Sequence, residues 1–260
     1  MPRLLVPAKA DSSGLLHDIT PQNAGWTYVG FSTRKLSGEV EIDTGQREHC
    51  LVVLSGQARV TTPGFDSGRI GERADVFSGL PWSVYLPPGT RARIEGEGEI
   101  ALCSAPATGK FAARVIGPKD VETLTRGQGP NLRHIRNILS ETAQAESLLV
   151  VEVITPPGHW SSYPPHKHDE DDLPRQSLLE ETYYHRLDLP QGFGFQRVYT
   201  DDRSLDETMT VTDRDVVLVP RGYHPCAAAH GYTLYYLNVM AGPQRVWRFH
   251  NDPAHEWLMV

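Results

Sequence analysis

Cysteine is scarce in this chain, and basic runs, long apolar stretches and helical periodicity are scarce with it. Cys50, Cys103 and Cys226 are odd in number, widely spaced and without CxxC spacing. That argues against a disulfide framework or a thiolate zinc site, and fits buried, inert thiols in a reducing cytoplasm. The formal net charge of -7 and the lack of any Lys/Arg run speak against a nucleic-acid surface. No apolar run approaches a membrane span. The opening MPRLLVPAKADSSG holds too short an apolar stretch for a signal peptide, so a cytoplasmic protein is expected. At 260 residues the chain can form one large domain or two small ones.

What is present reads as strand. LVVLSGQARV (51–60), WSVYLPPGTRARI (82–94), IALCSAPA (100–107), LLVVEVITPPG (148–158), FGFQRVYT (193–200), MTVTDRDVVLVPRG (209–222) and TLYYLNVMAG (233–242) are short, rich in Val, Leu and Tyr, and bounded by Gly or Pro. Two windows are predicted helical, VETLTRG (121–127) and NLRHIRNILSETAQ (131–144), the second with apolar residues at Leu132, Ile135 and Ile138–Leu139. Many short strands with little helix predict a β-sandwich or barrel. There is also an internal echo. VYLPPGTR (84–91) matches VLVPRGYH (217–224), and each follows an acid-led strand, EHCLVVLSG (48–56) and EETYYHR (180–186). Two copies of one β-unit account for this.

The segment YPPHKHD (163–169) holds two histidines one residue apart. With 11 histidines in the chain, chance alone supplies roughly 0.4 such pairs, so the pair by itself is as readily a polar hairpin arm. Strand geometry adds to it. Residues two apart share a face, so His166 and His168 project side by side and can meet one ion at about 2.0–2.1 Å. Glu181 opens the strand ETYYHR, with Tyr183 and His185 on its face and Thr182 and Tyr184 on the other. His224 follows VPRG at the exit of a turn, at a barrel rim.

These residues resemble the cupin superfamily, whose first motif is Gly, His-x-His, then Glu, and whose second is Pro-x-Gly followed by His. Gly158, His166, His168 and Glu181 match the first; Pro220, Gly222 and His224 match the second. The spacer between His168 and Glu181 is longer than the family's, because DEDDLPRQSLLE is inserted, and only one residue separates Gly222 from His224. The insertion leaves Glu180 or Glu181 as the ligand, with Glu181 preferred because it directly precedes the aromatic strand. In the first half Arg91 stands where His224 would, and Glu48 or His49 stands alone where Glu181 would. The expectation is therefore a mostly β bicupin of two tandem jelly-roll barrels with a few short helices: a metal-free barrel over 1–128 and a metal-carrying barrel over 129–260.

WSSYPPHKHD (160–169), LEETYYHR (179–186), PQGFGFQRVYTDDRSLDE (190–207), VLVPRGYHP (217–225) and GYTLYYLNVMAGP (231–243) together resemble the bicupin uronate ketol-isomerases, and among them the 5-deoxy-glucuronate isomerases of myo-inositol catabolism. The resemblance implies an aldose–ketose isomerisation with one divalent ion per chain (Zn, Mn, Fe, Ni or Co) on His166, His168, Glu181 and His224. Its substrate would be a small sugar acid, 5-deoxy-D-glucuronate, and its product 5-dehydro-2-deoxy-D-gluconate. Such an ion would act as Lewis acid and template. Tyr183, His185 and Glu180 are the candidate proton carriers by proximity, and the sequence does not choose among them. Arg197 is the first choice for the substrate carboxylate, against a surface arginine beside Asp201 or Asp202; Gln196 could bond a sugar hydroxyl.

A cupin dioxygenase using Fe(II) and a non-catalytic sugar-acid-binding cupin share the ligand set and are the alternatives. Exposed edge strands would allow a homo-oligomer. Other features read more plainly. DEDD (169–172) is a solvated loop, Phe193 and Phe195 are core, and His17, His134, His230, His250 and His255 are surface or capping residues. Trp247 and Trp257 pack the tail on the barrel, and Tyr232, Tyr235 and Tyr236 serve strand packing, with a hydroxyl of Tyr235 or Tyr236 available to a pocket.

Overall fold

The computed structural model describes residues 3–259. Two seven-stranded antiparallel sheets dominate it. In the first, the long strands Gly30–Asp43, Arg91–Pro106 and Arg47–Thr62 lie side by side, flanked by Leu15–Ile19, Trp82–Leu86 and Arg114–Ile116, with Phe65–Ile70 paired to Arg47–Thr62. The second runs Leu5–Val6, Val216–Val219, Glu180–Leu187, Leu234–Ala241, Leu149–Thr155, Arg133–Leu139, Glu122–Arg126. A four-stranded sheet (Trp160–Ser161, Cys226–Ala228, Gly194–Tyr199, Asp206–Val211) faces this second sheet. Between them lies an apolar cluster containing Leu149, Val151, Tyr183, Val198, Met209 and Cys226.

Why the central strands are apolar on both faces follows from their neighbours. In Leu234–Ala241, Leu234, Tyr236 and Met240 point into the second barrel, whereas Tyr235, Leu237, Val239 and Ala241 join a different cluster. That cluster also holds Cys50, Val52, Leu54, Ala101 and Cys103 from the first sheet. Leu51, Val53, Val60, Val84 and Ile94 face the first barrel's own core. The two large sheets thus pack face to face, each strand filling one core with its odd residues and another with its even ones. All three cysteines are buried and free.

Buried charges stitch the halves together. Arg73 holds Glu152 through two bonds of 2.6 and 3.1 Å. Glu99 accepts from Tyr184, Arg186 and Arg214. Two contacts are reciprocal. Glu48 accepts the backbone N–H groups of Glu146, Ser147 and Leu148, just ahead of Leu149–Thr155. Glu180 accepts those of Thr27, Tyr28 and Val29, just ahead of Gly30–Asp43. The echo extends to register, since His49 lies opposite Leu86 and Glu181 opposite Val219.

Several expectations need correction. The windows 121–127 and 131–144 are not helical; they hold the strands Glu122–Arg126 and Arg133–Leu139, paired as a hairpin. Sheet pairing also crosses the division at 128/129, because Leu5–Val6 and Glu122–Arg126 both belong to the second sheet. DEDD is one arm of a β-hairpin, Asp169–Asp172 with Gln176–Leu178. His17 is buried, at 3% exposure. Phe193 and Phe195 are exposed, and Trp257 is 69% exposed, so Trp247 alone of the two tryptophans packs on the barrel core. No helix among the described residues is long and apolar enough to cross a membrane.

Candidate metal centre

Strand alternation builds the site. From Glu180–Leu187, Glu181, Tyr183 and His185 enter the second barrel, while Glu180, Tyr184 and Arg186 turn toward the first half. Glu181 Oε2 stands 3.1 Å from His168 Nε2 and 3.1 Å from His224 Nε2. All three residues are buried and their ligand atoms lie within 4.8 Å of one another. Ligands at right angles about one ion at about 2.1 Å stand about 3.0 Å apart, so the spacing fits a shared ion.

Each histidine is oriented through its other nitrogen. His168 Nδ1 donates to the Leu179 carbonyl (3.1 Å) and His224 Nδ1 to the Gly222 carbonyl (2.8 Å). Both Nε2 atoms are thereby turned to Glu181, an arrangement that fixes tautomer in metal-binding imidazoles. His224 Nε2 has no hydrogen-bond partner of good geometry although it is buried. An orphaned nitrogen aimed at a carboxylate and a second imidazole is what a divalent cation would satisfy. The inserted segment does not disturb this, because its hairpin closes on itself and Leu179 N–H donates to the His168 carbonyl (2.8 Å). Asp169 of that hairpin accepts the Gly222 N–H (2.8 Å), tying it to the turn that carries His224.

His166 sits beside this cluster, its ring 5.0 Å from that of His224 and 6.4 Å from that of His168. It is partly exposed, packs on Phe249 and lines a cleft of ≈ 520 Å³. Burial, then the charges of His168 and Arg133, push its pKa down to about 3. Burial also takes His224 down to about 3 against the pull of Glu181. His168 goes the other way: burial opposes its charge, but the hydrogen bond and charge of Glu181 raise it.

Below the cluster lies a second polar layer. The Tyr183 hydroxyl shares a 2.8 Å hydrogen bond with Ser162 Oγ, and Tyr236 shares one of 2.5 Å with Ser161. His185 Nε2 donates to Gln196 Oε1 (2.8 Å), leaving Nδ1 unpartnered. Burial lowers His185 to about 4 and raises Tyr183 well above the usual tyrosine range, so at neutral pH both are uncharged.

Of the expected residues, the structure brings together His168, Glu181 and His224, with His166, Tyr183, His185 and Gln196 adjoining. Two are placed elsewhere. Glu180 is spent on the amides of Thr27, Tyr28 and Val29, on the opposite face from Glu181. Arg197 points outward where Gln196 points in, 41% exposed, and forms two 2.7 Å bonds with Asp206. Ser161 and Ser162 were not foreseen. Ser162 takes a left-handed backbone conformation (φ 50°) that nothing in its sequence signals, and its hydroxyl meets Tyr183. Of the tyrosines, Tyr236 faces the interior, whereas Tyr235 turns away to Glu152 (2.7 Å).

The KduI/IolB family profile matches residues 4–258. The chain belongs to the KduI/IolB family. Curated relatives named 5-deoxy-glucuronate isomerase include those of Geobacillus kaustophilus (strain HTA426) and Bacillus subtilis (strain 168). The first is 51% identical over 265 residues, 100% of this chain and 96% of its own length. The second is 48% identical over 251 residues, covering 94% and 93%. The crystal structure of an IolB-like protein from Salmonella typhimurium LT2 superposes with a TM-score of 0.96 at 48% identity, over 99% of this KduI/IolB chain and 100% of the other. Oxalate decarboxylase from Lactobacillus farciminis matches at a TM-score of 0.66 and 12% identity, over 96% of this chain and 89% of that one. At that identity the likeness concerns the bicupin fold alone.

Proposed function

We propose that this chain is a metal-dependent aldose–ketose isomerase that converts 5-deoxy-D-glucuronate to 5-dehydro-2-deoxy-D-gluconate, the activity for which its curated relatives are named. The observation that carries the reading is the convergence of His168, Glu181 and His224 on one point, with Tyr183 and His185 next along the strand that delivers Glu181. His166 would complete the set for one divalent ion per chain. Three imidazoles and a carboxylate accept Zn²⁺, Mn²⁺, Fe²⁺, Ni²⁺ or Co²⁺. When bound, the ion supplies Lewis-acid stabilisation for negative charge developing on the substrate's C1 and C2 oxygens.

The reaction moves a proton from C2 to C1, and a side chain must take and return it. His185 carries the unshared pair for this on Nδ1, because Gln196 fixes the proton on Nε2. Tyr183 and Ser162 form a hydroxyl pair that can pass the second proton between O2 and O1. The surrounding apolar cluster keeps bulk water from both groups.

The test is metal content by ICP-MS together with NMR of 5-deoxy-glucuronate incubated in D₂O. About one equivalent of metal and ketose carrying solvent deuterium are expected, with both lost in His168→Ala and His224→Ala. Full metal retention in both variants would overturn the site. Oxygen uptake without ketose would favour a dioxygenase, and tight uronate binding without turnover after metal reloading would favour a binding protein.

A further inference from the structure

A sugar-acid substrate brings a carboxylate into a chain whose own net charge is -7, and Arg197 is already occupied by Asp206. The hairpin of Glu122–Arg126 and Arg133–Leu139 offers a different pair of cations. Arg126 and Arg133 are direct cross-strand partners in its register, so their side chains leave the same face of the sheet. Two residues further along each strand, Leu124 and Ile135 are also partners, and both pack on the core of the second barrel. The arginine pair therefore lies on the inward face, at the rim. The alternate pair, Thr125 and His134, bond each other on the outer side (3.1 Å).

Both arginines line the cleft that His166 shares with Asn131, Tyr163 and Phe249, and no aspartate or glutamate lines it. Arg133 donates to the carbonyls of Asn131 (3.0 Å) and Tyr163 (3.4 Å), and among the described residues neither arginine pairs with a carboxylate. At Gly127 (φ +79°) an added Cβ would stand 2.9 Å from Arg133 Nη1, so this guanidinium folds over the turn that begins directly after Arg126. Like charges set opposite one another in a sheet repel. Two guanidinium groups left so, in a cleft that opens onto His166 and that no aspartate or glutamate lines among the described residues, are matched by an anion bound between them.

We propose that Arg126 and Arg133 form the carboxylate subsite that selects sugar acids over neutral sugars. The assignment rests on the isomerase reading above. His166 lines the same cleft as the arginine pair, and its ring stands 5.0 Å from that of His224, so a substrate whose C1–C2 end is at His168, Glu181 and His224 would direct its far end to the arginines.

The experiment compares kcat and KM for 5-deoxy-glucuronate and for the neutral 5-deoxyglucose in wild type, Arg126→Gln, Arg133→Gln, the double variant and Arg197→Gln. The expected result is a KM for the acid raised about tenfold in each single variant and further in the double. Expected alongside it are little change for the neutral sugar, unchanged metal content by ICP-MS, and a silent Arg197→Gln. An unchanged acid KM in the double variant, or equal losses for acid and neutral sugar, would overturn the subsite. Calorimetric binding of D-gluconate against D-glucitol separates this from the activity itself. Were wild type inactive as an isomerase, a gluconate preference abolished by the double substitution would uphold the subsite, and no preference would refute it.

Discussion

On the strand Glu180–Leu187, side-chain alternation sends two neighbouring carboxylates to different places. Glu181 faces His168 and His224, each at 3.1 Å, and Glu180 accepts three backbone amides at 2.6, 2.6 and 3.0 Å. Glu180→Gln is therefore expected to lower unfolding free energy by about 2–3 kcal/mol while leaving metal content near wild type, since amide bonds to a charged acceptor are the stronger kind. Glu181→Gln should do the reverse, losing metal with a smaller stability change. Urea unfolding alongside ICP-MS reads both, and metal loss in Glu180→Gln would reverse their roles. Glu181 is preferred from sequence because it directly precedes the aromatic strand, and period-2 alternation puts it on the face of Tyr183 and His185. The commitment of Glu180 was not legible, because its partners lie about 150 positions away and are backbone atoms without a sequence signature.

At the level of elements, most strands were legible from short β-branched runs between Gly and Pro. The exceptions include Glu122–Arg126 and Arg133–Leu139, both expected as helix; in the second, Ile135 and Ile138–Leu139 imitate helical spacing. A register shift between Asn137 and Leu139 explains the spacing in Arg133–Leu139: the irregularity breaks strict alternation, so apolar residues fall three and four apart on a strand. The turn at Gly222 was legible from VPRG, and the structure shows its requirement. Gly222 has φ +89°, an added Cβ would stand 2.4 Å from the Tyr199 carbonyl oxygen, and its own carbonyl orients His224. Gly222→Ala should cost about 1–3 kcal/mol and displace His224. A lower Tm with reduced metal occupancy is expected, and a variant of unchanged Tm would show that the turn tolerates a side chain.

Across the whole molecule the two halves share one core and their buried charges. His17 sits in this shared region, bonded to Thr33 (2.7 Å) with its ring edge-on to Tyr184. Burial holds its pKa down to about 4. Between its unfolded value of about 6.5 and about 4, the unfolded chain takes up a proton that the folded chain refuses. Stability should thus be greatest above pH 6.5, fall by up to about 3 kcal/mol as pH drops to 4, and level off below. His17→Gln should flatten that fall in urea midpoints measured at pH 7 and 4.5, and an equal fall in both proteins would assign it to other groups. The amide contacts of Glu48 and Glu180 bear on cooperativity. Opening either barrel strips three donors from a carboxylate anchored in the other, so a half-melted chain is a costly species. The molecule is then expected to unfold as a single unit, in which an ion bound where His168, Glu181 and His224 meet would raise the melting point of a barrel that does not touch it.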